Sequence, residues 1–423
     1  MTGVQLGEVA RGLFGILAFL VLAWGLSEDR RAIRPRTIAL GLTGQVILAV
    51  LLTRLPAIST AFGALARGVD AVQASAGAGA NFVFGYLGGG PQPFVPAPGQ
   101  PSTFIFGLQV LPAVLLVGAL AAVLWHWGVL RWIVRGSAWL FGRAFGVSGP
   151  VGVSTSACVF FGMVEAPLLV RPLLARLSRG EIFIIMVDGL SVIAGSSMIL
   201  LSAMLGSRLP DAFTHLLTAS LINTPMAIVM ARIVIPSDVI RGGRGLVLET
   251  PYRSSLDAMT HGTINAVKVA AYVVAMLIVF VGSIALVDKI LAALPIADHG
   301  LSLRGIFGWL FAPFAWAMGV PSGDTLTIGS LLGTKVAANE VVAFGQLAAL
   351  PAGAISAKGQ LIATYALCSF GNLGSVAILI GTLAAMAPEK AEEVVQLGPK
   401  ALAAAFLTTC STGALIGLLD TIL

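Results

Sequence analysis

Residues 319–350 read GVPSGDTLTIGSLLGTKVAANEVVAFGQLAAL, and after a short break opened by Pro351, Ala352 and Gly353, residues 363–382 read ATYALCSFGNLGSVAILIGT. These two pieces decide the fold. Lys335, Asn339 and Glu340 stand in an apolar setting with few other charges. An ionisable side chain at bilayer depth costs roughly 2.5–3.5 kcal/mol on insertion scales, so it faces a cavity or a partner. The second piece is an apolar helix interrupted by Phe370-Gly371-Asn372-Leu373-Gly374-Ser375. Two glycines and an asparagine in mid-span predict local unwinding, which membranes tolerate only where the freed backbone lines a cavity. A polar re-entrant element facing a broken helix is the geometry of a transporter site.

Composition agrees. Of 423 residues, 57% are hydrophobic and 10% charged, against about 25% charged in soluble domains. Several apolar runs exceed the ~18 residues that mark a membrane span. The chain therefore reads as an all-α polytopic membrane protein. Its net charge of +6 is no sign of nucleic-acid binding, because the basic residues cluster in short loops, where they set topology. Cys158, Cys368 and Cys410 fall in apolar segments without metal-ligand spacing, so neither a disulfide framework nor a metal site is expected. Arg30, Arg31, Arg34 and Arg36 follow the first apolar run, which is expected to be a retained span rather than a signal peptide.

In chain order, spans are predicted at about 9–26 and 37–53, then amphipathic stretches and a Gly/Pro-rich segment, LGGGPQPFVPAPGQPS, read as an external loop. A span at about 104–128 precedes an interfacial helix with Arg131, Arg135 and Arg143. The apolar run 149–177 is too short for two crossings yet carries Gly and Pro at its centre, so it reads as a re-entrant hairpin. Spans at about 181–205 and 212–235 follow, then a basic loop (Arg241, Arg244, Arg253), a polar helix and a span at about 266–288. A second amphipathic stretch (295–318) leads to the second hairpin, 319–350, the broken helix at 358–386 and a last span at 398–423. That makes about eight transmembrane helices and two hairpins. With the N-terminus outside, the loops assigned inside carry 14 Lys and Arg against 6 on the other face, which the positive-inside rule favours. Both termini are then expected outside.

The order span, interfacial helix, hairpin, broken span, span occurs twice, with the second copy inverted. The chain divides accordingly into 1–101 (N-terminal spans and external segment), 102–265 (first repeat) and 266–423 (inverted second repeat). Each hairpin carries one glutamate, Glu165 or Glu340. Each is followed by a polar break, Ile193-Ala194-Gly195-Ser196-Ser197 or Gly371-Asn372-Leu373-Gly374-Ser375. Inverted repeats whose broken helices meet near the midplane are a secondary-transporter architecture.

At these motifs the chain resembles a known family. GTKVAANEVVAF, GMVEAPLLVRP, IAGS, YALCSFGNLGSVAIL and FAPFAWAMGVP are similar to the hairpins, breaks and hairpin approach of the concentrative nucleoside transporters. The resemblance covers essentially the whole chain, with an atypical first hairpin. It implies a bacterial inner-membrane homotrimer with a fixed scaffold and a moving transport domain. It also implies cation-coupled import of nucleosides by an elevator-type cycle, with no enzymatic activity and no cofactor. Carried over by position, the ribose contacts are Glu340, Asn372 and Ser375, with Phe370 beside the base; Ser197 is a further substrate-site candidate. The chemistry fits, since a carboxylate and an amide oxygen accept from sugar hydroxyls and Ser375 does either.

Two departures from the family pattern stand out. Where the family has Gln-Thr-Glu at the first hairpin, this chain has Met163, Val164 and Glu165, so two polar base contacts become apolar. The family's sodium site maps to Cys158, Phe161, Val192 and Ile193, and neither a thiol nor an isopropyl group is a hard oxygen ligand. Asp188 is an extra carboxylate where the family has a small residue. Proton coupling through Glu165, Glu340 or Asp188 is therefore expected ahead of sodium.

Structural readings stand beside the functional ones. Glu340 and Glu165 can pair with Lys335 and Arg171, Asn372 can satisfy broken backbone, and Ser196 and Ser197 can serve helix packing. As an acid near a helix start, Asp188 is expected in solvent. His126 and His261 are expected at the interface, and GGRG at 242–245 follows no strand, so it is a loop rather than a phosphate cradle. Rival functions are a modified or non-nucleoside hydroxylated solute as cargo, a membrane-embedded enzyme using Glu165 and Glu340, or a channel. No catalytic His/Asp or Ser/His/Asp set and no ring of like charges supports the last two.

Overall fold

The computed structural model describes residues 3–94, 104–206, 208–209, 211–236, 250–293 and 302–422, and every regular element among them is helical. The Gly/Pro-rich loop from Val95 onward, Arg241, Arg244, the GGRG run and residues 294–301 lie outside the described residues.

Among the described residues, seven helices are long and apolar enough to cross a bilayer: Gly7–Gly25, Pro35–Arg54, Phe106–His126, Arg179–Leu205, Ala212–Val234, Ser255–Ala292 and Pro388–Ile422. The eighth crossing is interrupted, as Ala357–Leu367 and Leu373–Met386. The crossing at Arg179–Leu205 is likewise broken, into Arg179–Ser191 and Gly195–Leu205.

Local chemistry starts these helices. Proline occupies the first turn at Pro35, Pro56 and Pro150, where its missing N–H costs nothing. Ser178 and Glu181 form a reciprocal capping box at the start of Arg179–Ser191. Ser254, Ser302, Ser356, Asn339 and Asn372 each cap a helix through a side-chain oxygen.

The two repeats are built alike. The interfacial helix Val129–Phe145 packs against the first arm of hairpin one, Gly149–Phe161, and Leu303–Ala317 packs against the first arm of hairpin two, Thr325–Ala337. In the second pair the backbones nearly touch: a Cβ on Gly329 would lie 2.6 Å from the Gly308 carbonyl oxygen, so no larger residue fits. The second arm of hairpin two is Glu340–Ala349. In hairpin one it is only a 3-10 turn, Pro167–Val170, and one helical turn, Arg171–Leu174. Pro167 and Pro172 withhold the amide hydrogens a longer helix would need.

Three elements differ from the sequence expectation. The polar helix and span expected separately near 266–288 form one 38-residue helix, Ser255–Ala292, in which only Ala258, Gly262 and Ala266 are buried. Pro56–Phe84 is a single 29-residue helix. The last helix starts at Ala391 rather than 398 and runs through Pro399.

Charges gather on two opposite faces. On one, Lys358 donates to Glu8 at 2.6 Å and to Thr421, joining both ends of the chain, and Arg208 donates to the Ala348 carbonyl at 2.8 Å. On the other, Glu28 in the first loop accepts from Arg179 at 2.9 Å and Lys400 at 2.8 Å, while its own N–H donates to Val234. The Arg179 guanidinium, with Lys400 behind it, holds the Glu28 carboxyl down at about 2 against an ordinary 4.5.

A carboxylate depressed in this way stabilises the fold above its ordinary pKa and loses that contribution as pH falls towards its folded value. Glu28→Gln is therefore expected to melt lower than wild type at neutral pH. The deficit is at most about 1 kcal/mol for a partly exposed pair. In detergent melting curves the gap narrows from pH 4.5 downwards; a gap independent of pH would contradict the assignment.

Candidate functional site

The centre of the molecule is where the two breaks cross. The helix Arg179–Ser191 ends at Val192 and Ala357–Leu367 ends at Cys368, and each leaves terminal carbonyls without intrahelical partners. With no water in hydrocarbon, these groups need protein donors. Three interactions supply them. The Phe370 N–H donates to the Val192 carbonyl at 3.3 Å, tying one break to the other. The Asn223 amide donates to the Ser191 carbonyl at 2.7 Å and the Cys368 carbonyl at 3.1 Å. Lys335, fully buried, donates to the Ala366 carbonyl at 2.9 Å and to the Thr409 hydroxyl at 3.1 Å. A cation at a helix C-terminus is also electrostatically favoured.

On the far side of the second break, Asn372 starts the half-helix Leu373–Met386. Its Oδ1 accepts from the Ser375 N–H at 2.8 Å and its Nδ2 donates to Glu340 Oε2 at 3.1 Å. Glu340 starts the second arm of hairpin two, where the preceding Asn339 accepts from the Val342 N–H at 2.9 Å. Glu340, Asn372 and Ser375 are 6%, 2% and 7% exposed and form one cluster. The cluster abuts the long helix Ser255–Ala292: Gly374 lies beside Met276 and Phe280. The alternative Glu340–Lys335 pair is not formed, because Lys335 spends its donors on the helix end and Asn372 takes the carboxylate.

Hairpin one turns at Gly162, whose φ of +87° disfavours any side chain. A Cβ there would also meet Ala194 at 3.0 Å and the Phe370 ring at 3.5 Å, so the first hairpin's tip touches the second half's break. Met163 turns back into the core against Gly189 and is buried, while Val164 and Glu165 are half-buried. No hydrogen bond or ion pair joins Glu165 to Glu340 or to Arg171 among the described residues. Burial first, then the Glu165 and Asp257 carboxylates, push up the phenol of Tyr252, just before the long helix. Ser197 is half-buried at the start of Gly195–Leu205.

Of the sodium positions implied by resemblance, the two that would use side chains offer no hard oxygen, while Phe161 and Ile193 would contribute backbone carbonyls. Cys158 is buried and presents sulfur, and Val192 offers no side-chain oxygen and gives its carbonyl to Phe370. The Phe161 ring packs edge-on against Trp125 at 5.1 Å, and the Ile193 N–H donates to the Ser220 hydroxyl at 3.4 Å.

Asp188 is not the solvated helix-start residue expected from sequence. The helix starts nine residues earlier at Arg179, capped by Ser178, and Asp188 is fully buried. The Thr224 hydroxyl is the polar group beside its carboxylate, and that hydroxyl also lies 3.4 Å from the Ser220 carbonyl.

Sequence reasoning missed Asn223 and Tyr252. The signal for the first was Ser220, Asn223 and Thr224 together in the middle of an apolar span; Tyr252 gave none.

Two broken helices crossing between oppositely placed hairpins define a secondary transporter. The chain belongs to the Na+-dependent nucleoside transporter family. Residues 14–87 match its N-terminal model, 107–208 a nucleoside-recognition gate model and 215–417 its C-terminal model. It is 34% identical to the putative nucleoside permease NupX of Escherichia coli over 97% of this chain and 98% of that protein. It is 30% identical to the nucleoside permease NupC of Helicobacter pylori over 96% of each. Among solved structures it is similar to CNTnw in an inward-facing substrate-bound state, with a TM-score of 0.89 and 33% identity over 97% of this chain and 98% of that one. An outward-facing CNTnw structure gives 0.88 at 31% identity, with 97% and 98% covered.

A fully buried carboxylate with a single hydroxyl beside it is a standing cost to folding, tolerated where function needs it. Asp188→Asn is therefore expected to raise the melting temperature of the detergent-purified protein. A fall would show that the carboxylate has a stabilising partner.

Proposed function

We propose that the protein imports nucleosides across a bacterial inner membrane by an elevator-type alternating-access cycle, driven by protons rather than sodium. The observation that carries the nucleoside reading is the Glu340–Asn372–Ser375 cluster, with the carboxylate and amide bonded at 3.1 Å where hairpin two meets the second break. A vicinal diol presents two donors and two acceptors to such a group. The carboxylate accepts one hydroxyl, Asn372 and Ser375 engage the other, and Phe370 flanks the base. A site that pairs hydroxyls discriminates strongly against analogues lacking them, because its own groups are then left unpaired.

The proton reading rests on two features: side chains at Cys158 and Val192 unsuited to sodium, and the fully buried Asp188 carboxylate one turn before Val192 on the same helix. A proton neutralises that carboxylate without needing a coordination shell. Glu165 and Glu340 are the glutamates within the hairpins. Each protomer functions in a homotrimer, its termini outside, and the exposed apolar length of Ser255–Ala292 suits a fixed scaffold facing lipid and neighbouring copies.

One observation favours a second cargo. Met163 is turned into the core and Val164 is apolar, so neither supplies the base with a hydrogen bond. A nucleoside with a modified base, or another hydroxylated solute, meets the same ribose-type contacts.

In proteoliposomes, an inward-directed proton gradient without sodium is expected to drive labelled nucleoside accumulation. Strict dependence on sodium at constant pH would refute proton coupling. Glu340→Gln and Asn372→Ala are each expected to lower nucleoside affinity at least ten-fold, the scale of one hydrogen bond to a charged group. Isothermal titration of the inserted, purified variants checks this, and wild-type affinity in either removes that residue from the site.

A further inference from the structure

Between the interfacial helix Leu303–Ala317 and the first arm of hairpin two, Thr325–Ala337, lies a surface groove of about 330 Å3. None of Glu340, Asn372 and Ser375 lines it. Its lining is polar at the start of the helix, with Ser302 and Arg304, and apolar farther along, with Trp309 and, across from it, Leu326. Thr327 and Ser330 complete the hairpin side. The space exists because Gly308 has no side chain where the two helices cross. A Cβ there would lie 3.0 Å from the Leu326 carbonyl oxygen and 4.0 Å from the Ser330 Cβ.

The polar groups of this groove are donors. Ser330 is only 6% exposed, yet its hydroxyl has no hydrogen-bond partner, a cost that a bound acceptor removes. Arg304 is exposed and is the one charged side chain in the lining among the described residues, where it has neither an ion pair nor a hydrogen bond. The first N–H groups of a helix lack intrahelical acceptors. Here Leu303 donates to Asp288 at 2.7 Å and Gly305 to the Ser302 hydroxyl oxygen at 3.1 Å, which leaves the Arg304 amide. The acids nearest in the chain are already engaged: Asp288 as above, and Asp324 by the Ser356 hydroxyl at 2.6 Å. Neither lines the groove.

We propose that this groove binds one anionic phospholipid per protomer, its phosphodiester held by Arg304, the helix start and the Ser330 and Thr327 hydroxyls, with an acyl chain along Trp309 and Leu326. A phosphodiester carries one negative charge on oxygens that only accept, which suits an arginine, a helix N-terminus and hydroxyls together. The apolar rim selects a lipid over free phosphate: Trp309 is 75% and Leu326 46% exposed, and an exposed tryptophan is at home in the headgroup layer. The lone positive charge selects against a headgroup that brings its own ammonium, because no free carboxylate lines the groove to receive it. Thr327 and Ser330 belong to the arm that runs on to Lys335 and turns at Asn339 into Glu340. The lipid therefore rests on the hairpin that carries the substrate-cluster carboxylate.

The test is native mass spectrometry of the full-length protein released from detergent micelles. It is titrated with phosphatidylglycerol, with phosphatidylcholine of the same acyl chains, and with inorganic phosphate. Wild type is expected to hold one phosphatidylglycerol per protomer roughly ten-fold more tightly than phosphatidylcholine, and to hold no phosphate over that range. Arg304→Ala is expected to abolish the preference, whereas Arg253→Ala, at an exposed arginine outside the groove, keeps it. Ser330→Ala removes only the unpartnered hydroxyl and is expected to weaken phosphatidylglycerol binding about three-fold; it serves if Arg304→Ala fails to fold. Equal retention of the two lipids by wild type overturns the proposal without any variant. So does binding of phosphate alone, an equal loss in Arg253→Ala, or an unchanged preference in whichever groove variant folds.

Discussion

A helix cannot be broken in hydrocarbon unless every freed backbone group finds a partner within the protein, and that requirement organises this molecule. Two crossings are interrupted, and their carbonyl ends are met by Asn223, by Lys335 and by the Phe370 amide. The polar groups nearest the membrane centre are thus largely occupied in satisfying one another. The cluster of Glu340, Asn372 and Ser375 belongs to the same economy: Asn372 caps one half-helix while holding the carboxylate that starts the hairpin arm. Site and scaffold are one hydrogen-bonded object.

The two halves share an architecture but not a chemistry. In the second, a lysine, a glutamate and two asparagines place charge and polarity around the break. In the first, the corresponding turn carries Met163 and Val164 before Glu165, its second arm is cut short by Pro167 and Pro172, and a further carboxylate, Asp188, lies inside the half-helix. The pseudo-twofold arrangement brings these unequal halves into contact at Gly162 and Phe370.

Much of this was legible in the sequence, for physical reasons. Apolar length and loop arginines fix crossings, and a Gly-Asn-x-Gly-Ser run inside an apolar helix marks a break, because those residues tolerate or cap unwound backbone. Glu340 and Asn372 were legible because polar side chains at depth demand an explanation. Partnerships were not. Lys335 and Glu340, five apart, look like a pair, but the first terminates one hairpin arm and the second begins the other, so they point to different neighbours. Asn223 acts on carbonyls 32 and 145 residues away, a relation no local pattern encodes. Asp188 was misread because distance from the true helix start, set by the Ser178 cap, decided whether it met water.

The long helix Ser255–Ala292 has a mechanical consequence. Thirty-eight residues span ~57 Å, while a bilayer's hydrocarbon is ~30 Å thick. The surplus is taken up by lean or by projection into the headgroups, where Thr260, His261 and Thr263 are at home. Because Met276 and Phe280 on this helix rest against Gly374, its inclination bears on the start of the half-helix that carries Ser375. Acyl-chain length in the surrounding lipid thereby reaches the proposed substrate cluster.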